Sequence, residues 1–136
     1  MDQPITVDED EEPNPDLNRI TNMILGAAFA VHTQLGPGHQ EHVYANALQI
    51  EFHRRQIQFV REARFLIKYA GAVVGEGRLD FIVEGKVIVE LKAVETMTPL
   101  FTSQVISYLK ATNVKLALLI NFNVRSLREG IKRIAR

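Results

Sequence analysis

The 136-residue chain contains no cysteine, which excludes disulfide bonds, thiolate zinc sites and cysteine catalysis and fits a reducing compartment. It also lacks an apolar run near the roughly 18 residues that predict a membrane span, and its acidic start is unlike a secretory signal. The hydrophobic fraction of 46% is normal for a globular protein. We therefore expect a small cytoplasmic protein without a membrane partner.

The net charge is zero, because 16 Lys and Arg residues balance 16 Asp and Glu residues, but the two signs are separated along the chain. Residues 1–16 contain seven acids and no base, so residues 17–136 carry a basic surplus. Prolines and mutually repelling carboxylates predict that residues 1–16 form a mobile acidic arm, and residues 17–136 a single domain. We interpret the arm as a solubilising tail; the alternative is that it covers a basic surface in competition with nucleic acid.

Apolar periodicity predicts an α/β fold with a central mixed sheet flanked by helices, in the order ααβββαβα. Asp16 is the expected N-cap of the first helix, and Gly36-Pro37-Gly38 ends that helix. The expected helices cover 17–35, 40–55, 100–112 and a short basic stretch at 127–134, and the expected strands lie within 58–69, 73–83, 87–93 and 115–122.

The hairpin around residues 84–86 has a register that its apolar pattern selects. If Val83 pairs with Val87, Phe81 faces Val89 and Leu79 faces Leu91 on one apolar face. On the other face Ile82 meets Ile88, Asp80 meets Glu90 and Arg78 meets Lys92. A slip by one residue would mix the two faces, so the pattern selects the register that puts Asp80 beside Glu90.

Two carboxylates in directly opposed positions repel one another. One explanation is a solvent-exposed checkerboard of ion pairs with Arg78 and Lys92. The other is a divalent cation that is held by both carboxylates and a backbone carbonyl. Glu41, at the start of the second helix, is a third acid that we expect to point inward, although the helix dipole alone would favour an acid there.

Four motifs of this chain follow one another in a recognisable order. They are Gly38-His39-Gln40-Glu41-His42-Val43-Tyr44, then Gly77-Arg78-Leu79-Asp80, Glu90-Leu91-Lys92, and Gln104-Val105-Ile106-Ser107-Tyr108. Together they resemble the GxxExxY family of the PD-(D/E)xK nuclease superfamily, and their order is similar to that of RecB-like exonucleases. The superfamily pattern begins with Pro-Asp where this chain has Leu79-Asp80.

The resemblance implies a restriction-endonuclease-like core with Mg²⁺ or Mn²⁺ as cofactor. It implies that Lys92 is the catalytic lysine and that Glu41 is an additional metal ligand, direct or through water. The implied metal ligands are Asp80, Glu90, the backbone carbonyl of Leu91, and Glu41; the implied residues for site support or nucleic-acid contact are Gln104, Tyr108, Tyr44 and Arg78.

Several of these residues also have a purely structural interpretation. Tyr44 continues the apolar stripe of its helix, and Gln104 and Tyr108 suit a hydrogen-bonded buried helix face. The basic C-terminal stretch, which holds Arg125, Arg128, Lys132, Arg133 and Arg136, is either a phosphate-contacting patch or a solvated helix face.

The sequence thus predicts a metal-dependent nuclease that hydrolyses phosphodiester bonds of DNA or RNA, with weak sequence specificity because no base-reading element is evident. The alternative is a catalytically inactive nuclease-fold module that binds nucleic acid or a protein partner. A further alternative is an interaction protein that forms a homodimer through an exposed sheet edge or helix.

Overall fold

The computed structural model describes residues 5–6 and 14–136. Within these ranges a six-stranded mixed sheet has the spatial order β1-β6-β5-β4-β3-β2, with β4 and β5 parallel and the other neighbours antiparallel. This confirms the predicted α/β class. The elements are β1 (Ile5–Thr6), α1 (Pro15–Leu35), α2 (Glu41–Arg54), β2 (Phe59–Tyr69), β3 (Ala72–Val83), β4 (Val87–Lys92), α3 (Pro99–Thr112), β5 (Leu116–Asn121) and β6 (Ile131–Ala135).

The sheet is covered by helices on both faces. Val87 and Val89 of β4 pack with the apolar residues of α1 and α2, whereas Ile88 packs with Val105 and Leu109 of α3. Strands that are buried on both sides are continuous apolar runs, and the run that predicts a strand within 115–122 corresponds to β5. No helix in the described part of the chain is long and apolar enough to cross a membrane.

The first helix begins earlier than predicted. Asn14 is its N-cap, since the Asn14 side chain accepts hydrogen bonds from the N–H groups of Asp16 and Leu17, so the prediction of Asp16 as N-cap is wrong. Pro15 follows the cap, where its missing N–H and fixed φ suit the first turn. Asp16 instead pairs with Arg19 and Lys86. Of the predicted arm, Ile5–Thr6 pair with β6 and Asp16 belongs to α1. The acidic run Asp8–Glu12 lies outside the described residues, so its mobility stays a prediction.

The predicted basic helix over 127–134 is wrong. Residues Leu127–Gly130 form one 3₁₀ turn, and β6 follows and pairs antiparallel with β5. Strand alternation therefore separates the cations: Lys132 donates to Thr102 of α3, and Arg133 donates to Asn18 of α1 on the other face. The five C-terminal cations do not share one helix face.

The register predicted for β3 and β4 is confirmed at Val83↔Val87, Ile82↔Ile88 and Phe81↔Val89. The expectation that Leu79 shares the face of Phe81 is wrong, because Leu79 packs in the cluster of α3. Between the pairs Arg61↔Phe81 and Ala63↔Leu79, Glu62 of β2 has φ 57° and the pairing of β2 with β3 is interrupted. The regular β3–β4 ladder ends at this level, beside Asp80.

Candidate active site

Asp80 and Glu90 lie together where the β3–β4 ladder ends. The Asp80 N–H donates to Glu90 Oε2 over 2.7 Å, and the Leu91 N–H donates to Asp80 Oδ2 over 2.8 Å. Each carboxylate thus accepts a backbone hydrogen bond from the opposite strand. The acid pair replaces the backbone ladder at this level and holds the two strands together.

The two acids are electrostatically strained. Glu90 is only 6% exposed. Its burial, with the nearby charge of Asp80, raises the pKa of Glu90 to about 8. Burial also raises the pKa of Asp80. The hydrogen bond from the Leu91 N–H and the positive charges of Lys92 and Arg61 lower it, but by less. At neutral pH the pair therefore favours holding a proton unless further positive charge is supplied.

Glu41 lies on the wall of a cleft beside this pair. It occupies the first turn of α2 and, contrary to the inward orientation expected, is exposed. The cleft has a volume of about 430 Å³ and is also lined by Asp80, Arg61 and Arg78. Partial burial and then the charge of Asp80 raise the pKa of Glu41.

In the described ranges no three His, Asp or Glu side chains lie close enough together to hold a metal ion. Glu41 is close enough to the acid pair for its charge to raise the pKa of Glu90. It does not, however, form a three-ligand cluster with Asp80 and Glu90.

Lys92 is the last residue of β4, two positions after Glu90, and is half-buried. Burial raises the pKa values of Glu41, Asp80 and Glu90, and the positive charge of Lys92 opposes the rise in each case. The Lys92 Nζ lies 4.4 Å from the centroid of the Phe101 ring of α3, within the range of a cation–π interaction. Phe101 therefore holds the amine near the acids without neutralising it.

Of the motif residues Gln104 and Tyr108 on α3, Tyr108 is close enough to Asp80 and Glu90 for their charges to affect its pKa. Tyr108 is half-buried, its ring packs edge-on against Phe65, and partial burial followed by the charges of Glu90 and Asp80 raises its pKa. Gln104, one turn earlier, is exposed and its side chain makes no hydrogen bond to any described residue.

Tyr44 belongs to the core rather than to the cleft. Its ring is fully buried and stacks on Phe122 with the centroids 4.7 Å apart. Its hydroxyl donates to the Gly36 carbonyl over 2.6 Å and accepts from the His39 N–H over 3.1 Å. Tyr44 thereby fixes the loop that leads into α2 and supports the position of Glu41 indirectly.

Sequence reasoning missed two residues that shape this region. Asn121 ends β5 opposite Lys92, is 3% exposed, and exchanges hydrogen bonds with both backbone groups of Val94, which fixes the chain after β4. A polar residue closing the apolar run 116–121 was the available signal. Arg61, which lines the cleft, gave no local signal, because its contacts to Asn46 and Gln49 come from α2.

The fold and the cleft together define a nuclease-like α/β domain. The model of the PD-(D/E)XK nuclease superfamily matches residues 18–134. The chain therefore belongs to the PD-(D/E)XK nuclease superfamily.

The crystal structure of SSO0001 has a similar fold, with a TM-score of 0.55 and 17% identity over 88% of this chain. The match spans 58% of the SSO0001 chain, and at this identity the likeness shows the fold alone. No curated protein matches the chain significantly.

Proposed function

We propose that this protein is a metal-dependent nuclease that hydrolyses phosphodiester bonds of DNA or RNA, and that it belongs to the GxxExxY group within its superfamily. The observation that carries the proposal is the acid pair Asp80–Glu90, which lies beside Lys92 and of which Asp80 lines the cleft. Membership of the nuclease superfamily supports it.

The donor chemistry of the pair suits a hard divalent cation. Asp80 and Glu90 each use one carboxylate oxygen for a backbone N–H, so one oxygen of each is left for a ligand. Mg²⁺ and Mn²⁺ prefer oxygen donors and are commonly held by one or two carboxylates, with water and substrate phosphate in the remaining positions. Asp80, Glu90 and the Leu91 carbonyl would hold the ion, and Glu41 would contribute through water from the cleft wall. The raised pKa of Glu90 supports this assignment, because a cation would relieve the repulsion.

When bound, such a cation acts as a Lewis acid towards a phosphate oxygen and lowers the pKa of a water. Lys92 forms no salt bridge within the described residues, so its charge is available to orient the attacking water or to stabilise negative charge on the phosphate. Arg78 and Tyr108 would border the substrate, Arg78 from the cleft and Tyr108 from α3.

The test is cleavage of labelled DNA and RNA, single- and double-stranded, by the purified full chain in Mg²⁺, Mn²⁺ or EDTA. We expect metal-dependent cleavage that falls at least about 100-fold in Glu90→Ala and in Lys92→Ala. Lys110→Ala is the matched control, since Lys110 is an exposed lysine of α3, and it should cut like the unmodified chain. Absence of cleavage in every metal, or equal cleavage by the two site variants, would contradict the proposal.

A non-catalytic nucleic-acid-binding module is the second candidate. The finding that favours it is that no three metal-binding side chains converge in the part of the chain described. This candidate predicts salt-dependent binding without cleavage, and binding that survives Lys92→Ala.

A further inference from the structure

Arg61 is a half-buried cation on the wall of the cleft. It lies on β2, the strand at one edge of the sheet, and pairs with Phe81 of β3, one residue from Asp80. Arg61 lines the same cleft as Glu41, Glu62, Asp80 and Arg78. A positive group therefore lies next to the proposed metal ligands.

The Arg61 side chain is held in place by neutral groups. One terminal nitrogen donates to Asn46 Oδ1 over 2.9 Å and to Gln49 Oε1 over 2.8 Å, both on α2. The guanidinium carbon lies 5.7 Å from the centroid of the Phe81 ring. These contacts fix the orientation of the guanidinium without forming an ion pair with it.

Four arginines of the described chain form ion pairs, among them Arg55 and Arg64. Arg64, on the same strand, pairs with the Glu76 carboxylate over 3.0 Å, and Arg55 pairs with Glu51 over 2.8 Å. Arg61 forms no salt bridge with any residue in the described ranges, and its second terminal nitrogen and its Nε make no hydrogen bond there. A preoriented guanidinium with unused N–H donors is suited to a bidentate contact with a phosphate.

We infer that Arg61 is a substrate-binding residue whose free N–H groups bind a phosphate of the nucleic-acid backbone in the cleft beside Asp80. The inference rests on the proposed function, because it assumes a nucleic-acid substrate. It adds a recognition contact that none of the four sequence motifs contains.

A purely structural role is the competing explanation. Arg61 could tether β2 to α2 through Asn46 and Gln49, or offset the charge of Asp80, without touching substrate. Loss of the tether lowers stability and leaves the salt dependence of binding unchanged. Loss of a phosphate contact lowers affinity and also reduces the slope of log K against log salt.

The experiment measures fluorescence anisotropy of a fluorescein-labelled DNA single strand and of a duplex, in EDTA over a range of salt, so that no cleavage occurs. Arg61→Gln removes the charge, Arg61→Lys keeps the charge without the planar fork, and Arg64→Gln is the control for loss of charge on the same strand. Thermal unfolding of each variant is measured in parallel.

We expect Arg61→Gln to weaken binding about 10-fold and to reduce the salt slope by about 0.7 to 0.9, the contribution of one phosphate contact. Arg61→Lys should retain the slope and weaken binding about 3-fold, because a lysine is a point charge without bidentate geometry. Arg64→Gln should bind within about 2-fold of the unmodified chain, since its charge is already paired.

Unchanged affinity in Arg61→Gln, or weaker binding with an unchanged slope and a lowered melting temperature, would overturn the inference. Failure of the proposed function gives a different result. The unmodified chain would then bind DNA but cut nothing in Mg²⁺ or Mn²⁺, and Arg61→Gln would still weaken binding and reduce the salt slope. A chain that binds no nucleic acid in EDTA would overturn the inference, and one that in addition cuts none in Mg²⁺ or Mn²⁺ would overturn both.

Discussion

Among single residues, Glu90 has the greatest influence on how the protein responds to pH. The raised pKa of Glu90 in the folded state, about 8 against an ordinary 4.5, means that the folded chain binds a proton which the unfolded chain releases in that window. Because the folded state then holds more protons, the free energy of unfolding falls as pH rises from about 4.5 to 8. Asp80 and Glu41 act in the same direction, since burial raises their pKa values too.

We therefore predict that Glu90→Gln stabilises the metal-free protein at alkaline pH. Gln retains an oxygen that can accept the Asp80 N–H but cannot ionise, so unfolding should depend less steeply on pH and become more costly by a few kcal/mol at about pH 9. Urea unfolding in EDTA across this pH range measures the effect. Glu129→Gln, at an exposed glutamate, is the control and should follow the unmodified chain. Parallel curves for Glu90→Gln and the unmodified chain would contradict the electrostatic description.

Residue-level prediction of the site was partly possible. The register of the hairpin placed Asp80 beside Glu90, because only one register keeps the apolar residues of β3 and β4 together. The sequence could not reveal that each carboxylate accepts a backbone N–H from the opposite strand, nor that Arg61 is held by α2. These are contacts between elements that periodicity does not encode.

At the level of elements, the long helices and the β3–β4 hairpin followed from apolar spacing, since their buried faces are wide and continuous. The strand β6 did not. Its sequence IKRIA suits a basic helix as well as a strand, and the unpaired edge of β5 decides between them. The face change between Leu79 and Phe81 was not predicted either, because strict alternation along β3 places the two residues on one face.

The junction of β5 and β6 leads to a packing prediction. A Cβ at Gly130 would overlap the backbone carbonyl oxygen of Asn121, so Gly130→Ala must push β6 away from the end of β5. We expect a loss of about 2 to 3 kcal/mol in the free energy of unfolding. Chemical denaturation measures the loss.

Gly75→Ala is the matched control for this change. A Cβ there meets Ile67 Cδ1 at an ordinary 3.8 Å, and the variant should stay within about 1 kcal/mol of the unmodified chain. Equal stability of Gly130→Ala and Gly75→Ala would show that the β5–β6 junction can relax without cost.

In the whole molecule, the cleft is assembled from elements that are distant in sequence. α2 contributes Glu41, β2 contributes Arg61, and β3 contributes Asp80 to the cleft, while β4 places Glu90 and Lys92 beside Asp80. Each element also packs into one or both of the two apolar clusters that cover the sheet. The positions of the charged groups therefore depend on the complete fold, and loosening any one of these elements should weaken the site before the sheet unfolds.

The central claim is that the acid pair binds a divalent cation, and the most direct measurement is anomalous diffraction from crystals soaked in Mn²⁺. We predict a strong peak between the Asp80 and Glu90 carboxylates that disappears in Glu90→Ala crystals soaked in the same way. A map from well-soaked crystals without a peak there, or with peaks only at other surface carboxylates, would contradict the account.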